Sequence, residues 1–180
     1  MRQPGLLLRL AVLVASAVAG ATVVIALSSR SDLGDARRQV DAAWGEVRPA
    51  LDQRYQALVE ATAAVRSRLG ADRTLLAEID RAVVSWSAGQ GPVEDQVRAA
   101  MRLEGLIARL TATVAATPRL RSSEDVGRAL SALDRTNPGV ARQRYNRAVG
   151  AYEDVRGAFP RRLVAGALGF EARRTLEVPA

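Results

Sequence analysis

The chain has 180 residues, with 26 basic side chains, all arginine, against 19 acidic ones and a formal net charge of +7. It contains no cysteine and no histidine, which excludes disulfides, thiol nucleophiles and metal sites built from thiolate or imidazole. Aromatic residues make up only 4% and the charges of both signs are interleaved, so we expect a salt-bridged helical surface and no nucleic-acid partner.

The first predicted element is a membrane-spanning helix. Residues 10–27 are an uncharged run of 18, and a helix from Leu6 to Ser28 would be about 35 Å long, enough to cross about 30 Å of hydrocarbon. The run is long for a signal peptide, which favours an uncleaved anchor, although alternating alanines also suit a cleaved signal. We therefore assign residues 1–30 to a single transmembrane anchor and residues 31–180 to a helical-bundle domain. Arginines on both sides leave the orientation open.

A long amphipathic helix is predicted to continue from the anchor. Its apolar residues recur in steps of three, four and seven, which is a heptad-like stripe. The stripe consists of Val40, Trp44, Val47, Leu51, Leu58 and Val65. The helix pauses at Gly70, and the pattern resumes from Leu75 to Trp86 before a turn at residues 87–92.

Three more helical stretches follow that turn. The first carries apolar residues from Val97 to Val114 and ends before Pro118; the second begins near residues 122–125 and runs through Leu133. Residues 137–139 interrupt the pattern, and a last stripe comprises Val140, Tyr145, Val149, Tyr152 and Phe159. Because no stretch alternates with period two, we expect an all-α fold, an antiparallel bundle of three or four long helices with one N-terminal transmembrane helix.

The C-terminal quarter carries a distinctive series of residues. In chain order these are Arg142, Tyr145-Asn146, Val149, Tyr152, Phe159-Pro160, Leu163-Val164-Ala165 and Gly169-Phe170. The series resembles the ending of the LemA family, and residues 40–44 followed by Arg54 resemble that family's first-helix motif. The resemblance implies a single-span membrane protein with a helical bundle, no assigned catalytic residues and a role at the cell envelope.

Seven residues form the candidate structural or interaction motif. They are Trp44, Arg54, Tyr145, Asn146, Tyr152, Phe159 and Pro160. Tyr145, Tyr152 and Phe159 are spaced by seven, so on one helix they share a seam and should be core. Asn146 is turned about 100° from Tyr145 to the flank, where it either satisfies a polar group between helices, which we favour, or faces a partner.

Two of these residues lie on the first-helix stripe. Trp44 is interpreted as a core anchor in preference to a partner-facing hot spot. Arg54 lies between Leu51 and Leu58, and we favour an arginine that extends past the seam into solvent, because burial would require a paired carboxylate. Glu104 is such a carboxylate, but a chain reversal near residue 90 places it opposite residue 75, so this pair is not predicted.

The sequence favours a non-catalytic protein. It contains no nucleophile elbow and no phosphate-binding loop, and the lack of histidine leaves only an all-carboxylate cation site to consider. Arg161-Arg162 is interpreted as a solvated helix start, since two arginines are too few for a typical anionic-lipid site. We expect a single-pass scaffold or adaptor of the cell membrane, without cofactor, that binds other envelope proteins or itself. The alternative is a sensory or small-ligand-binding bundle with a pocket near Arg54 and Glu104.

Overall fold

The structure, a computed structural model, describes the backbone of residues 4–68, 73–89 and 91–177 and the side chains of residues 29–68, 74–89, 91–163 and 165–177. Every regular element in these ranges is helical, which confirms the all-α part of the fold prediction. The elements are α1 (Pro4–Arg68), α2 (Arg73–Ala88), α3 (Val93–Ala116), α4 (Pro118–Arg121), α5 (Glu124–Arg135), α6 (Gly139–Gly157) and α7 (Arg161–Val164).

The chain divides into two compact units. Unit 1 comprises Met1–Gln39 and Gly150–Ala172, and unit 2 comprises Val40–Val149 and Arg173–Ala180. Where side chains are described, no helix combines the length and the apolar character needed to cross a bilayer. The predicted anchor, residues 10–27, lies outside those side chains and remains a prediction.

Unit 2 is a helical bundle built on the second half of α1. α2 runs antiparallel to α1, because Asp52 bonds Trp86 while Arg66, further along α1, bonds Asp80, which is earlier in α2. α3 reverses the chain again and so runs parallel to α1. The hydrogen-bonded pairs that show this are 52, 50 and 45 positions apart, and they are Trp44–Gln96, Arg54–Glu104 and Tyr55–Ala100. α5 runs antiparallel to α1, since Arg54 contacts its C-terminal end and Arg68 its first turn.

The core of unit 2 follows the predicted apolar stripe. All six stripe residues of α1 are buried, as are Ile79 and Trp86 on α2 and Val97, Leu110 and Val114 on α3. Each such aliphatic side chain contributes roughly 1.5–3 kcal/mol by leaving water, which gives α1 its place at the centre of the bundle. Val140 is an exception to the predicted stripe of α6 and is 67% exposed. It lies five residues before Tyr145, about 140° around the helix, which takes it off the seam.

The helix ends occur where the sequence places its breakers. α2 stops at Ala88 and α3 starts after Pro92, with Glu94 and Asp95 in its first turn near the positive end of the helix dipole. Pro118 begins α4, where its missing N–H costs nothing. α5 begins within the predicted range of residues 122–125, and Ser123 occupies its N-cap, although the Ser123 hydroxyl makes no capping bond.

Unit 1 contains the end of α6 and the segment that folds back from it. Residues 165–169 form a helical turn closed by a Schellman motif, in which the Phe170 amide donates to the Ala165 carbonyl and the Gly169 amide donates to the Gly166 carbonyl. Gly169 has φ 76°, a left-handed conformation that glycine adopts without steric cost. Ala165 and Phe170 are both buried, so the turn is packed, and it leads into a C-terminal segment that has no regular secondary structure up to residue 177.

Candidate functional site

A buried ion pair lies at the centre of unit 2. Arg54 Nε donates to Glu104 Oε1 at 2.8 Å and Arg54 Nη2 donates to Oε2 at 3.1 Å, which makes the pair bidentate. The third guanidinium nitrogen, Nη1, donates to the Leu133 carbonyl at 2.9 Å. Arg54 is 6% and Glu104 3% exposed. The prediction that Arg54 extends into solvent was therefore wrong, because α1 and α3 are parallel and bring positions 54 and 104 to the same level.

Tyr55 borders the ion pair and was missed from the sequence. Its hydroxyl donates to the Ala100 carbonyl at 3.3 Å, and the ring is 2% exposed. Burial, followed by the charge of Glu104, raises the pKa of the Tyr55 phenol above its ordinary value. Tyr55 is four residues after Leu51 and three before Leu58, so it completes the heptad spacing that could have revealed it. At neutral pH it is a neutral core residue.

Trp44 is a core residue, as predicted. It is 3% exposed, and its ring meets Tyr145 edge to face, with centroids 5.3 Å apart. The indole Nε1 donates to Gln96 Oε1 at 2.8 Å, and Arg48 Nη1 donates to the same oxygen at 2.7 Å. The indole N–H of Trp44 is thus bonded to a residue of α3, and the rest of the ring packs against other core side chains.

Tyr145 and Asn146 hold the C-terminal segment against α6 in unit 2. The Tyr145 hydroxyl donates to the Arg174 carbonyl at 2.9 Å. Asn146 Nδ2 donates to the Leu176 carbonyl at 3.2 Å, and Asn146 Oδ1 accepts the Leu176 amide at 2.8 Å. The favoured interpretation of Asn146, as a residue that satisfies a polar group, is confirmed, but the group belongs to the non-helical C-terminal segment and not to a neighbouring helix. Burial, followed by the charge of Asp41, raises the pKa of Tyr145 to about 12.

Arg173 adds a charged contact to the same segment. Its guanidinium pairs with Glu94 at the start of α3 and lies 3.4 Å from Asp41 on α1, and its side chain is only 6% exposed. In the sequence it is one of two adjacent arginines in a polar tail, with nothing to distinguish it. The C-terminal segment of unit 2 is thus joined to the bundle by side chains from three helices.

Tyr152 plays the equivalent part in unit 1. It is 1% exposed, as predicted for a core residue, and its hydroxyl donates to the Glu171 carbonyl at 2.7 Å. The Schellman turn before Glu171 brings this carbonyl back towards α6. Tyr152 therefore bonds the C-terminal segment at Glu171, whereas Tyr145 and Asn146 bond it further along, at Arg174 and Leu176.

Phe159 is not a core residue, which corrects the prediction. Its side chain is 72% exposed. The helix that carries Tyr145 and Tyr152 ends at Gly157, two residues before Phe159. Phe159 is therefore not part of the helix, and the spacing of seven no longer places it on the same face as the two tyrosines. Pro160, which has no N–H to extend the helix, follows after a cis peptide bond. The sequence motif is thus divided between buried tyrosines and an exposed turn.

Two features bear on ligands and metals. A groove of about 520 Å³ lies beside Arg54 and is lined by α3 and α5 residues that include Thr111, Ser131 and Asp134. The guanidinium at its edge is already bonded through all three nitrogens to Glu104 and Leu133. Within the described residues, no three carboxylates are grouped so that they could hold a metal ion.

Comparison with protein-family models identifies a family. The model of the LemA family matches residues 43–180, which cover unit 2 from its first turn and the C-terminal part of unit 1. No curated protein matches the chain.

Proposed function

We propose that this chain, which belongs to the LemA family, is a membrane-anchored, non-catalytic scaffold or adaptor of the cell envelope. The observation that carries the proposal is the continuity of α1, a single helix from Pro4 to Arg68. One end contains the uncharged run at residues 10–27, and the other supplies the central stripe of the bundle. A continuous helix of this kind suits a protein whose bundle is attached to a bilayer.

The polar groups in the core of unit 2 are bonded to one another or to the backbone, which supports a structural role for them. Arg54, Glu104 and the indole of Trp44 are all bonded to groups of the same chain. A catalytic group usually has a bond or a face left for substrate, and these do not. The surface is then the part of the molecule that meets other molecules, either other envelope proteins or a second copy.

The groove beside Arg54 gives the ligand-binding alternative little support. A ligand there would have to compete with the bidentate bonds to Glu104, and removing that carboxylate would leave a buried charge unpaired. The bundle is therefore proposed to bind proteins and to hold no cofactor. We further propose that the chain spans the cell membrane once. The proposal does not specify on which side of the membrane the bundle lies.

Extraction of native membranes with alkaline carbonate tests the anchor. The full-length protein should stay in the pellet, and Val18→Glu should move it towards the supernatant, since a charge at the centre of a span costs roughly 3 kcal/mol. Val84→Glu, at a 68% exposed position of α2, is the matched control and should stay in the pellet. A soluble mature product that begins near Gly20 or Thr22 would overturn the anchor.

The scaffold role has a separate test. A photoreactive side chain at Val84 or Val59, both exposed on the bundle, should give an adduct with a second protein or a second copy in native membranes. A metal and small-molecule survey of the purified protein runs in parallel. A compound that copurifies at a fixed ratio and raises the melting temperature would contradict the scaffold and support the alternative.

A further inference from the structure

The turn after α6 exposes two large apolar side chains. Phe159 is 72% and Leu163 66% exposed, and they are only four positions apart in the chain. Exposed apolar side chains of this size leave water favourably when an apolar phase is within reach, at roughly 25 cal/mol per Å². Both belong to unit 1, as do α7 and the first described side chains of α1.

An ion pair fixes this turn to a particular level of α1. Arg161 Nη2 donates to Asp32 Oδ2 at 2.7 Å and its Nε donates to the same oxygen at 3.1 Å. Arg161 lies midway between Phe159 and Leu163. The two apolar side chains are therefore presented on either side of a residue that is attached to Asp32.

Asp32 lies close to the end of the predicted span. It is five positions after Leu27, the last residue of the uncharged run, which corresponds to about 7.5 Å along a helix. The polar headgroup layer is roughly 5–7 Å thick on each side of the hydrocarbon. If residues 10–27 span the bilayer, Asp32 and Arg161 lie at the outer limit of this layer, so the turn that carries Phe159 and Leu163 is held at its edge.

We propose that Phe159 and Leu163 insert into the headgroup region of the same membrane that holds α1, as a second, interfacial contact of the bundle. This inference depends on the proposed anchor and adds to it a lipid-binding turn. Phenylalanine and leucine are typical of the buried side of interfacial segments, with arginine beside them at the headgroups. The contact would fix the tilt of unit 1 relative to the bilayer plane.

The charges of unit 1 indicate that the contact depends on apolar insertion. Arg161 is paired with Asp32, Arg38 with Asp35 and Arg156 with Glu153, so their net attraction for anionic lipid is small. Among the described side chains of unit 1, Arg30, Arg37 and Arg162 are further exposed basic residues. Three cations fall short of the clusters of about four to eight that recruit anionic lipids. Insertion should therefore proceed equally well in neutral phosphatidylcholine.

Site-specific fluorescence can measure the depth of the turn directly. The chain contains no cysteine, so Phe159→Cys and Leu163→Cys can each be labelled with a small fluorophore in the full-length protein without further changes. Ala151→Cys, exposed on α6 in the same unit, is the matched control. Val18→Cys reports on the anchor itself. Each protein is reconstituted in phosphatidylcholine vesicles that contain a lipid with a nitroxide. The nitroxide is at the headgroup for the labels at 151, 159 and 163, and near the end of an acyl chain for the label at 18, which lies about 15 Å from the headgroups if the span is centred there.

The four labels separate the inference from the proposal on which it depends. We expect the nitroxide to quench labels at 159 and 163 several-fold more than the label at 151, with no added effect of phosphatidylserine. Quenching at 18 but not at 159 or 163 would overturn the interfacial contact and leave the anchor in place. An unquenched label at 18 would overturn the anchor. Quenching at 159 only in the presence of phosphatidylserine would show an electrostatic contact and contradict insertion.

Discussion

Removal of one partner from the buried ion pair is the most direct test of how unit 2 is held together. Glu104→Leu leaves the Arg54 guanidinium 6% exposed with only the Leu133 carbonyl as partner. An unpaired buried charge costs roughly 3–5 kcal/mol, far more than the loss of one hydrogen bond. For a body of this size that loss lowers the melting temperature by roughly 2–4 °C per kcal/mol.

The double substitution should be milder than either single change would suggest. Arg54→Met combined with Glu104→Leu replaces both charges with apolar groups of similar length, and such swaps are often nearly neutral. The carbonyl of Leu133 is not orphaned, because it still accepts the Thr136 hydroxyl at 2.7 Å. The Tyr55 hydroxyl likewise keeps its bond to Ala100. A double-mutant cycle should therefore give a coupling energy of several kcal/mol.

The measurement uses the fluorescence of Trp44 and Trp86, which both lie in unit 2, during urea unfolding of the full chain in detergent. Arg66 and Asp80 provide the matched control: they form a 2.6 Å pair between α1 and α2, but both side chains are 53% exposed. Their coupling should be roughly 0.2–1 kcal/mol. If the buried pair couples no more strongly than this control, the argument that its charges are kept from water is refuted.

Three further predictions concern the contacts of α6. Asn146→Ala should lower stability by roughly 1–3 kcal/mol in the same unfolding assay, because it leaves the Leu176 amide and carbonyl without partners; parent-like unfolding would point instead to an exposed contact residue. Tyr152→Ala should cost roughly 3–5 kcal/mol and Tyr152→Phe only about 1, so equal losses would contradict the bond to Glu171. Tyr145, with a folded pKa of about 12 against an ordinary 10.0, stabilises the fold fully below pH 10, and this contribution should be lost as the pH rises towards 12. Tyr145→Phe should show a smaller alkaline loss, measured alongside tyrosinate absorbance.

The helices of this chain were predictable because their signals are local. Apolar residues repeat at helical spacing from Val40 to Val65, and Pro92, Pro118 and Pro138 mark the breaks between α2 and α6. Each signal depends on residues within one or two turns of each other, and sterics at proline act on the same scale. The same locality explains the burial of Trp44, which follows from its position on the stripe.

Arg54 shows where local reasoning stops. Its neighbours in sequence place it on the apolar face, but whether it is buried depends on a carboxylate 50 residues away. The chain reversal near residue 90 shows which residues of α2 lie opposite which residues of α3, but it does not show which residues of α1 lie beside α3. Two reversals make α1 and α3 parallel, so their contacts follow a nearly constant offset. That offset depends on how the helices tilt and pack, which periodicity does not specify.

Phe159 shows a different limit. The spacing of seven from Tyr145 to Tyr152 correctly placed both in the core, and its extension to Phe159 assumed that the helix continued. Pro160 argues for a boundary before it, but the boundary lies at Gly157, and an uncertainty of two residues at a helix end is enough to reverse the orientation of a side chain. The exposed turn that results is the surface proposed to meet lipid.

Tyr145 and Asn146 bond the backbone of the C-terminal segment, and the donors and acceptors of their side chains explain why these residue types occur there. The C-terminal segment has no regular secondary structure up to residue 177 and meets no strand within the described residues, so its amides and carbonyls need side-chain partners, which α6 supplies at Arg174 and Leu176. Among small side chains an amide can donate and accept at once, as Asn146 does with the two backbone groups of Leu176. Aspartate would accept the amide and repel the carbonyl, and leucine would leave both unpaired. Asn146→Asp should therefore be as costly as Asn146→Ala, and an aspartate variant with parent-like stability would show that the Leu176 carbonyl does not need its donor.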